Sequence, residues 1–385
     1  MWRHIVSNFL TLLVVAIFLL GGVIVWGQSQ YNSAGPNSAP ICLRVEPGST
    51  MRRVSRQLEE EGAVRSGAIF RIGADYGDRT GDLKAGSWLI PQGASMGEIT
   101  EIITRGGAST CGTEVVYRVG VTESQVVVRE LDTASGRYEE RAAFDPLAEG
   151  ERPEIFEQVR ERKDTRYRIA FAEGVTSWQV VEGLKAVDVL SGEVAPVPAE
   201  GTLAPDSYEV RSGDARADLI ERMRAAQTEI LAAAWANRAE GLPVATPEEA
   251  LILASIIEKE TGIPEERRQV ASVFVNRLKR GMRLQTDPTV IYGLTEGRGV
   301  LGRGLRQSEL RRATPWNTYL IDGLPPSPIA NPGRASIEAA LDPASTDYIF
   351  FVADGTGGHV FAVTLEEHNR NVVKWRQIEA ERGNN

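Results

Sequence analysis

The stretch ALILASIIEKETG, Ala250–Gly262, decides how this chain is read. An almost unbroken apolar run enters two glutamates and stops at glycine. Thr246 stands where an N-cap is needed, Pro247 at the first helical position and Glu249 at the third, which makes a capping box. Gly262 occupies a natural left-handed position past the helix end. Between these limits only Ser255 interrupts Ala250–Ile257. A surface helix keeps a polar face. The pattern therefore predicts a core helix whose C-terminal end opens into a cleft.

Glu258 and Glu260 lie about 200° apart around such a helix, so they do not share a face. One turn before Glu260 stand Ile256 and Ile257, with Leu253 beyond; before Glu258 stand Ala254 and Ser255. Apolar neighbours and the negative end of the helix both disfavour a carboxylate charge. Glu260 is thus the better general acid. Taken alone, the residues also fit an ordinary helix end, with Lys259 exposed between two glutamates.

Downstream, Pro264–Arg280 has the apolar stripe of a second helix: Val270, Val273, Phe274 and Leu278. MRLQTDPTVIYG, Met282–Gly293, brings Gln285, Thr286 and Asp287 together before Pro288. Pro315–Tyr319 and Gly323–Pro332 (GLPPSPIANP) read as rigid loops. Amides beside aromatics are what sugar sites use, since rings stack on aromatics and hydroxyls bond to amides. Tyr348–Ala353 and His359–Ala362 read as paired strands, and Thr364–Gln377 as a closing helix.

Upstream, Ile5–Trp26 is long and apolar enough to span a bilayer. Arg3 and His4 precede it, and the next positive charge is Arg44, which places residues 1–4 in the cytoplasm and the rest outside. Residues 27–40 form a polar linker, expected to be flexible. Residues 41–107 read as a small βααβ unit followed by a helix. Residues 108–166 are the least legible: strands at Val115–Val119, Ser124–Leu131 and Tyr138–Ala143, then a charged helix over 149–164. Residues 167–385 form the main C-terminal domain. Within it, Glu200–Val210 (EGTLAPDSYEV) reads as an irregular loop and Asp214–Ala236 as an amphipathic helix. The whole is an α+β chain with one membrane helix. Its two cysteines, Cys42 and Cys111, fit a disulfide outside the cell.

The net charge of −9 argues against a nucleic-acid-binding protein and suggests no bulk attraction to anionic lipid. Three histidines and no HExxH or CxxC leave no expected metal site or cofactor.

ASIIEKETG, QVASVFVNRLKRGMRLQTDPTVIYG, TPWNTYLIDGLPPSPIANPG and YIFFVADGTGGHVFAVTLEEHN together resemble the YceG-like family of endolytic murein transglycosylases. EGTLAPDSYEV is similar to that family's EG-x-L-x-PD-T-Y segment, with Ala204 and Ser207 departing. The resemblance covers about 41–107 and 167–377; 114–166 match poorly. It implies a LysM-like unit at 41–107, a catalytic domain from 167 with a lysozyme-like catalytic helix, and Glu260 as the catalytic residue. It implies a lyase that cuts the β-1,4 bond between N-acetylmuramic acid and N-acetylglucosamine inside peptidoglycan glycan strands, leaving 1,6-anhydro ends. Glu258, Gln285, Thr286, Asp287, Asn317 and Tyr319 are then candidates for substrate binding. Proximity to penicillin-binding proteins and other peptidoglycan synthases at the inner membrane is implied as well. Two other readings fit the residues. A muramidase would need a second carboxylate, for which Asp287 is the nearby choice. A non-catalytic wall-binding scaffold would leave Glu260 structural.

Overall fold

The structure is a computed structural model that describes residues 2–383 except Glu149, Lys163 and Ala195. Met1, Asn384 and Asn385, which belong to the expected cytoplasmic terminus and C-terminal domain, lie outside the described residues.

The first helix, α1 (Trp2–Asn32), carries the apolar run, whose side chains from Phe9 to Trp26 stand exposed. It is long and apolar enough to cross a membrane. It also runs past the expected end of the span. The stretch read as a flexible linker is helical to Asn32 and tied down beyond it. Gly35 N–H donates to Gly93 O at 2.9 Å, and buried Asn37 Nδ2 donates to Pro91 O at 2.8 Å. Composition suggested flexibility; these backbone partners, distant in sequence, remove it.

A first compact unit holds the chain through Val115 with Val127–Phe144 and Gly150–Arg166. Here β1 (Ile41–Val45), α2 (Met51–Glu60), α3 (Gly67–Tyr76), β2 (Gly86–Ile90) and α4 (Met96–Arg105) follow in order. Local chemistry sets the helix starts. Thr50, Ser66 and Ser95 accept from the third backbone N–H of their helices, and Glu98 reaches back to complete a capping box at Ser95. Strands β1 and β2 are antiparallel, with Leu43 opposite Trp88. Leu43, Leu58, Phe70, Ile90, Ile99 and Ile103 fill one core. Cys42 and Cys111 form a disulfide with Cα atoms 5.8 Å apart. It holds β1 to a segment that also bonds β2 through Thr110 and Cys111 N–H to Ser87 O.

The region of doubtful fold becomes β3 (Thr113–Val119), β4 (Ser124–Asp132), β5 (Arg137–Phe144) and α5 (Glu154–Arg160). The expected helix over 149–164 shrinks to α5, and Glu149 and Lys163 of that range lie outside the described residues. With β6 (Arg166–Phe171) and β7 (Ser207–Val210) the strands form a sheet of order β5-β4-β3-β6-β7. The EGTLAPDSYEV segment therefore does not stay irregular. Its last residues pair antiparallel with β6, Tyr208 opposite Ile169, and bury Tyr208 and Val210. Alternation over four residues is too short a signal to read without its partner strand.

The second unit runs chiefly from Tyr167 onward. It holds α6 (Ser177–Lys185), α7 (Arg216–Ala236), α8 (Pro247–Glu260), α9 (Pro264–Lys279), α10 (Asp287–Thr295), α11 (Gln307–Leu310), α12 (Arg334–Leu341), strands β8 (Phe350–Ala353) and β9 (His359–Ala362), and α13 (Leu365–Gly383). Helix α8 is the axis of this unit. Every residue from Ala250 to Ile257 is buried, and α7, α9, α10 and α12 pack against it. Its cap is Thr246, which accepts from Glu249 N–H; the Glu249 carboxylate reaches Ala245 N–H at 2.6 Å rather than the N-cap itself. Its far end departs from expectation. Thr261 is extended, and Gly262 is not among the left-handed glycines. The chain leaves straight and restarts at Pro264 of α9.

The disulfide closes a separation of 69 residues. Loop-closure entropy assigns such a link about 4 kcal/mol. The Cys42→Ser/Cys111→Ser double variant is expected to lower the urea midpoint of the first unit's transition while leaving that of the second unaltered.

Candidate active site

Glu260 is the last residue of α8, and the buried run behind it sets its environment. It is only partly buried, so its side chain reaches solvent at the end of a buried helix. Thr286 Oγ1 donates to its carboxylate. Burial pushes the carboxyl up to about 7; Asp287's charge adds to the rise, while the Thr286 bond and the charges of His359 and Arg277 pull the other way.

Thr286 is held in place by a web of buried hydroxyls. Its N–H donates to Thr318 Oγ1 at 3.1 Å, its carbonyl accepts from Thr289 Oγ1 at 2.7 Å, and Thr289 and Thr318 share a bond of 2.8 Å. Gln285 N–H donates to Thr318 O at 3.1 Å. Gln285 is one of three described non-glycine residues with positive φ, at 50°. That strained turn delivers Thr286 to Glu260 and leaves the Gln285 side chain exposed. Asp287 accepts from Tyr319 Oη at 2.7 Å. Burial and the bond to Asp287 push the Tyr319 phenol up.

Three residues on this wall carried no role in the sequence reading. Arg277 bonds the carbonyls of Ile349 (2.7 Å) and Leu284 (2.8 Å), stitching α9 to the Gln285 loop and to the start of β8. Glu266, one turn into α9, accepts from both the backbone N–H and the Nδ1 of His359, each at 2.9 Å. A Cβ added at Gly358 would lie 2.6 Å from the Glu266 carboxylate, so a side chain there would push that carboxylate aside. GGHVF was quoted as part of a motif, but nothing in one sequence says that its histidine meets a glutamate 93 positions away.

Of the proposed binding residues, Glu260, Thr286, Asp287 and Tyr319 come together, with Gln285 beside them. Asn317 does not join. It is fully buried, and its amide is spent on Leu310 O, Arg312 O and the Tyr319 N–H, so it shapes the loop that carries Tyr319. Glu258 also stands apart, as its angle around α8 requires. It accepts from Gly333 N–H at 2.9 Å. Around it lies a second polar group. Lys259 donates to Gly174 O at 3.2 Å, and burial lowers its pKa. Glu173 is raised by burial and by the charge of Glu258. Glu200, from EGTLAPDSYEV, is raised by burial and accepts from Ser177 N–H and Tyr292 Oη. Asn331 of the proline-rich loop donates to Ser177 and accepts from Leu203 N–H, tying both segments together.

An α+β fold whose core helix ends in a desolvated carboxylic acid is the setting that a general acid–base group requires. The chain belongs to the YceG-like family, whose model matches residues 135–374. That match starts ahead of the 167–377 part of the sequence resemblance, takes in part of the poorly legible strands and leaves out 41–107. The chain is 27% identical to the endolytic murein transglycosylase of Bacillus subtilis over 93% of its own length and 91% of the relative's. It is also 27% identical to that of Streptococcus pneumoniae D39, over 96% of this chain and 65% of the relative. A yceG-like protein from Listeria monocytogenes aligns with a TM-score of 0.46 and 25% identity, over 86% of this chain and 98% of that one.

Two opposite substitutions test the electrostatics. Thr286→Val removes a bond to the ionised form and is expected to raise the Glu260 pKa above about 7; Asp287→Asn removes a like charge and is expected to lower it. Carbon-13 titration of the Glu260 carboxyl reads both. Stability carries a further sign. A carboxyl raised from 4.5 to about 7 on folding contributes stability below the lower value and loses it as pH rises through the upper. Glu260→Gln is therefore expected to be more stable than the parent at pH 8, by up to about 3 kcal/mol, and level with it at pH 4. Equal melting differences at both pH values would count against a desolvated Glu260.

Proposed function

We propose that this chain is an endolytic lytic transglycosylase that cuts the bond between N-acetylmuramic acid and N-acetylglucosamine within peptidoglycan strands. The observation that carries this reading is Glu260: one carboxylic acid, near-neutral, at the open end of a buried helix, in a chain whose relatives are named for this activity.

The chemistry needs one acid–base group. Protonated Glu260 gives its proton to the glycosidic oxygen as the C1–O4 bond breaks, and the N-acetylglucosamine leaves with a free 4-hydroxyl. The electron-poor C1 is supported by the neighbouring acetamido group. The Glu260 carboxylate then takes the proton of the sugar's own 6-hydroxyl, and O6 closes on C1. The enzyme regains its proton, no water is consumed, and the muramoyl end is the 1,6-anhydro form. A pKa near neutrality suits both steps. Thr286 stabilises the ionised intermediate state of Glu260, and Gln285, Asp287 and Tyr319 line the approach for sugar hydroxyls and rings. A hydrolase would need a second carboxylate to activate water. The nearby Asp287 is engaged by Tyr319, which favours the lyase.

In this reading α1 anchors the chain in the plasma membrane with its N-terminus inside. Residues 41–107 act as a LysM-like glycan contact, which their βααβ order and antiparallel strand pair support. The Glu-Thr end of α8 plays the part of a lysozyme-like catalytic helix. Partnership with peptidoglycan synthases follows from placing a cutter beside a polymerase.

Mass spectrometry of digested, purified glycan decides the reaction. Anhydro ends support the lyase, reducing ends that gain water support a muramidase, and uncut strands support a scaffold. Glu260→Gln is expected to abolish cleavage with glycan binding retained; full activity in that variant would sink the assignment. Because the acid form starts the reaction, the rate is expected to hold below about pH 6 and fall roughly tenfold per pH unit above about 7.

A further inference from the structure

The junction between α1 and the small βααβ unit is not a tether. Tyr31, near the end of α1, sits in a slot between two glycines. A Cβ added at Gly73 of α3 would lie 2.3 Å from its ring, and one at Gly97 of α4 would lie 3.3 Å away. Its hydroxyl donates to Thr100 Oγ1 of α4 at 2.8 Å. The helix that carries the apolar run is therefore packed directly onto α3 and α4, which sets its direction relative to them.

The direction of α3 follows from the same contacts. The chain just before α3 lies beside the residues that follow α1. A Cβ at Gly35 would be 3.1 Å from Ala63 O, and Arg65 donates to Ser33 Oγ at 3.4 Å. Gly73, two turns into α3, lies against Tyr31. Helix α3 thus runs back alongside α1 toward its apolar section, and Tyr76 leads.

The apolar run of α1 ends at Trp26. Tyr31 is five residues beyond, or about 7.5 Å of helix. A headgroup layer is about 5–8 Å deep on each side of the hydrocarbon core. The Tyr31 slot therefore lies near the outer edge of that layer, and Tyr76, three residues past Gly73, lies about 4.5 Å further along α3 in the direction of the core. At this level α3 shows two large side chains to solvent one turn apart: Ile72, 67% exposed, and Tyr76, 85% exposed. No described residue of the first unit covers them, although Phe70 and Ala74 of the same helix are fully buried. On the water side of them, at the start of α3, Arg52, Arg56 and Arg71 line an open groove with Ser55, Glu59, Gly67 and Ala68. None of the three arginines has an ion-pair partner among the described residues. An aromatic and an aliphatic side chain beside unpaired guanidiniums is the composition of a surface that lies in a membrane interface.

We propose that the face of α3 bearing Ile72 and Tyr76 rests in the headgroup layer of the bilayer that holds α1, with the arginine groove turned to lipid phosphates. The small unit then lies on the membrane at a set height and orientation, and the bilayer is its partner. The inference rests on the anchor reading above. It also refines what net charge implied: the chain as a whole is acidic, yet this groove sets three arginines against one glutamate.

The test uses the full chain in vesicles of phosphatidylethanolamine and phosphatidylglycerol. Cys42 and Cys111 are joined, so a nitroxide attaches only to an introduced thiol. Labels are placed by Ile72→Cys and Tyr76→Cys, by Ala134→Cys in the exposed β4–β5 turn, and by Val23→Cys in α1. Each site is read by the ratio of collision with oxygen, which favours lipid, to collision with a water-soluble nickel chelate. Ratios at 72 and 76 severalfold above that at 134, and below that at 23, are expected. Ratios at 72 and 76 equal to that at 134, with 23 reading as lipid, overturn the proposal and leave the anchor standing. An aqueous reading at 23 overturns both. An Arg52→Gln/Arg56→Gln/Arg71→Gln variant is expected to lower the ratios at 72 and 76 in these vesicles; unchanged ratios remove the phosphate part of the proposal.

Discussion

Desolvation of one carboxylic acid is the constraint around which the second unit is arranged. An ionised glutamate prefers water, and a helix end prefers a cation there. Placing Glu260 at the end of α8, behind eight consecutive buried residues, works against both preferences. The surroundings must therefore hold it there. The core cluster formed with α9 and α12 does so from behind, and the threonine web of Thr286, Thr289 and Thr318 does so from in front. Burial of this carboxyl, which raises its pKa, gives up stability at one residue whenever it is ionised.

The loops around the site are ordered by buried polar residues, not by their prolines alone. Ser255, the one polar interruption of the α8 run, bonds Ile329 N–H at 3.0 Å and so pins the proline-rich loop to the helix. Asn317 and Asn331 are fully buried and spend their amides on backbone partners. Arg277 does the same for the Gln285 turn. A buried polar side chain with all its bonds made costs little, whereas one left unpaired costs much. Such residues therefore fix sharply the geometry of the loops that lie around Glu260.

Much of this was legible in one dimension. Thr246 announced the start of α8 because capping is a local interaction, and Thr50, Ser66, Ser95 and Thr176 act the same way on their own helices. The apolar character of Ala250–Ile257 announced a core helix, and 3.6 residues per turn separated Glu258 from Glu260. The pairing of β7 with β6, the retraction of α5 and the helical continuation of α1 were not legible, because each depends on a partner far away in the chain. The same holds for the Glu266–His359 pair and for Asn317, whose composition suggested a ligand contact and whose burial makes it a loop brace.

By itself the sequence determined the apolar N-terminal helix, the buried helix α8 with Glu258 and Glu260 on different faces, and the family. These rest on periodicity, capping and unbroken apolar runs, which act within a few residues. Tertiary structure alone decided which polar residues meet Glu260, which are spent on holding loops, and how α1 joins the unit that follows it. Those outcomes depend on burial and on hydrogen bonds between distant segments, and neither is a property of any one stretch of chain.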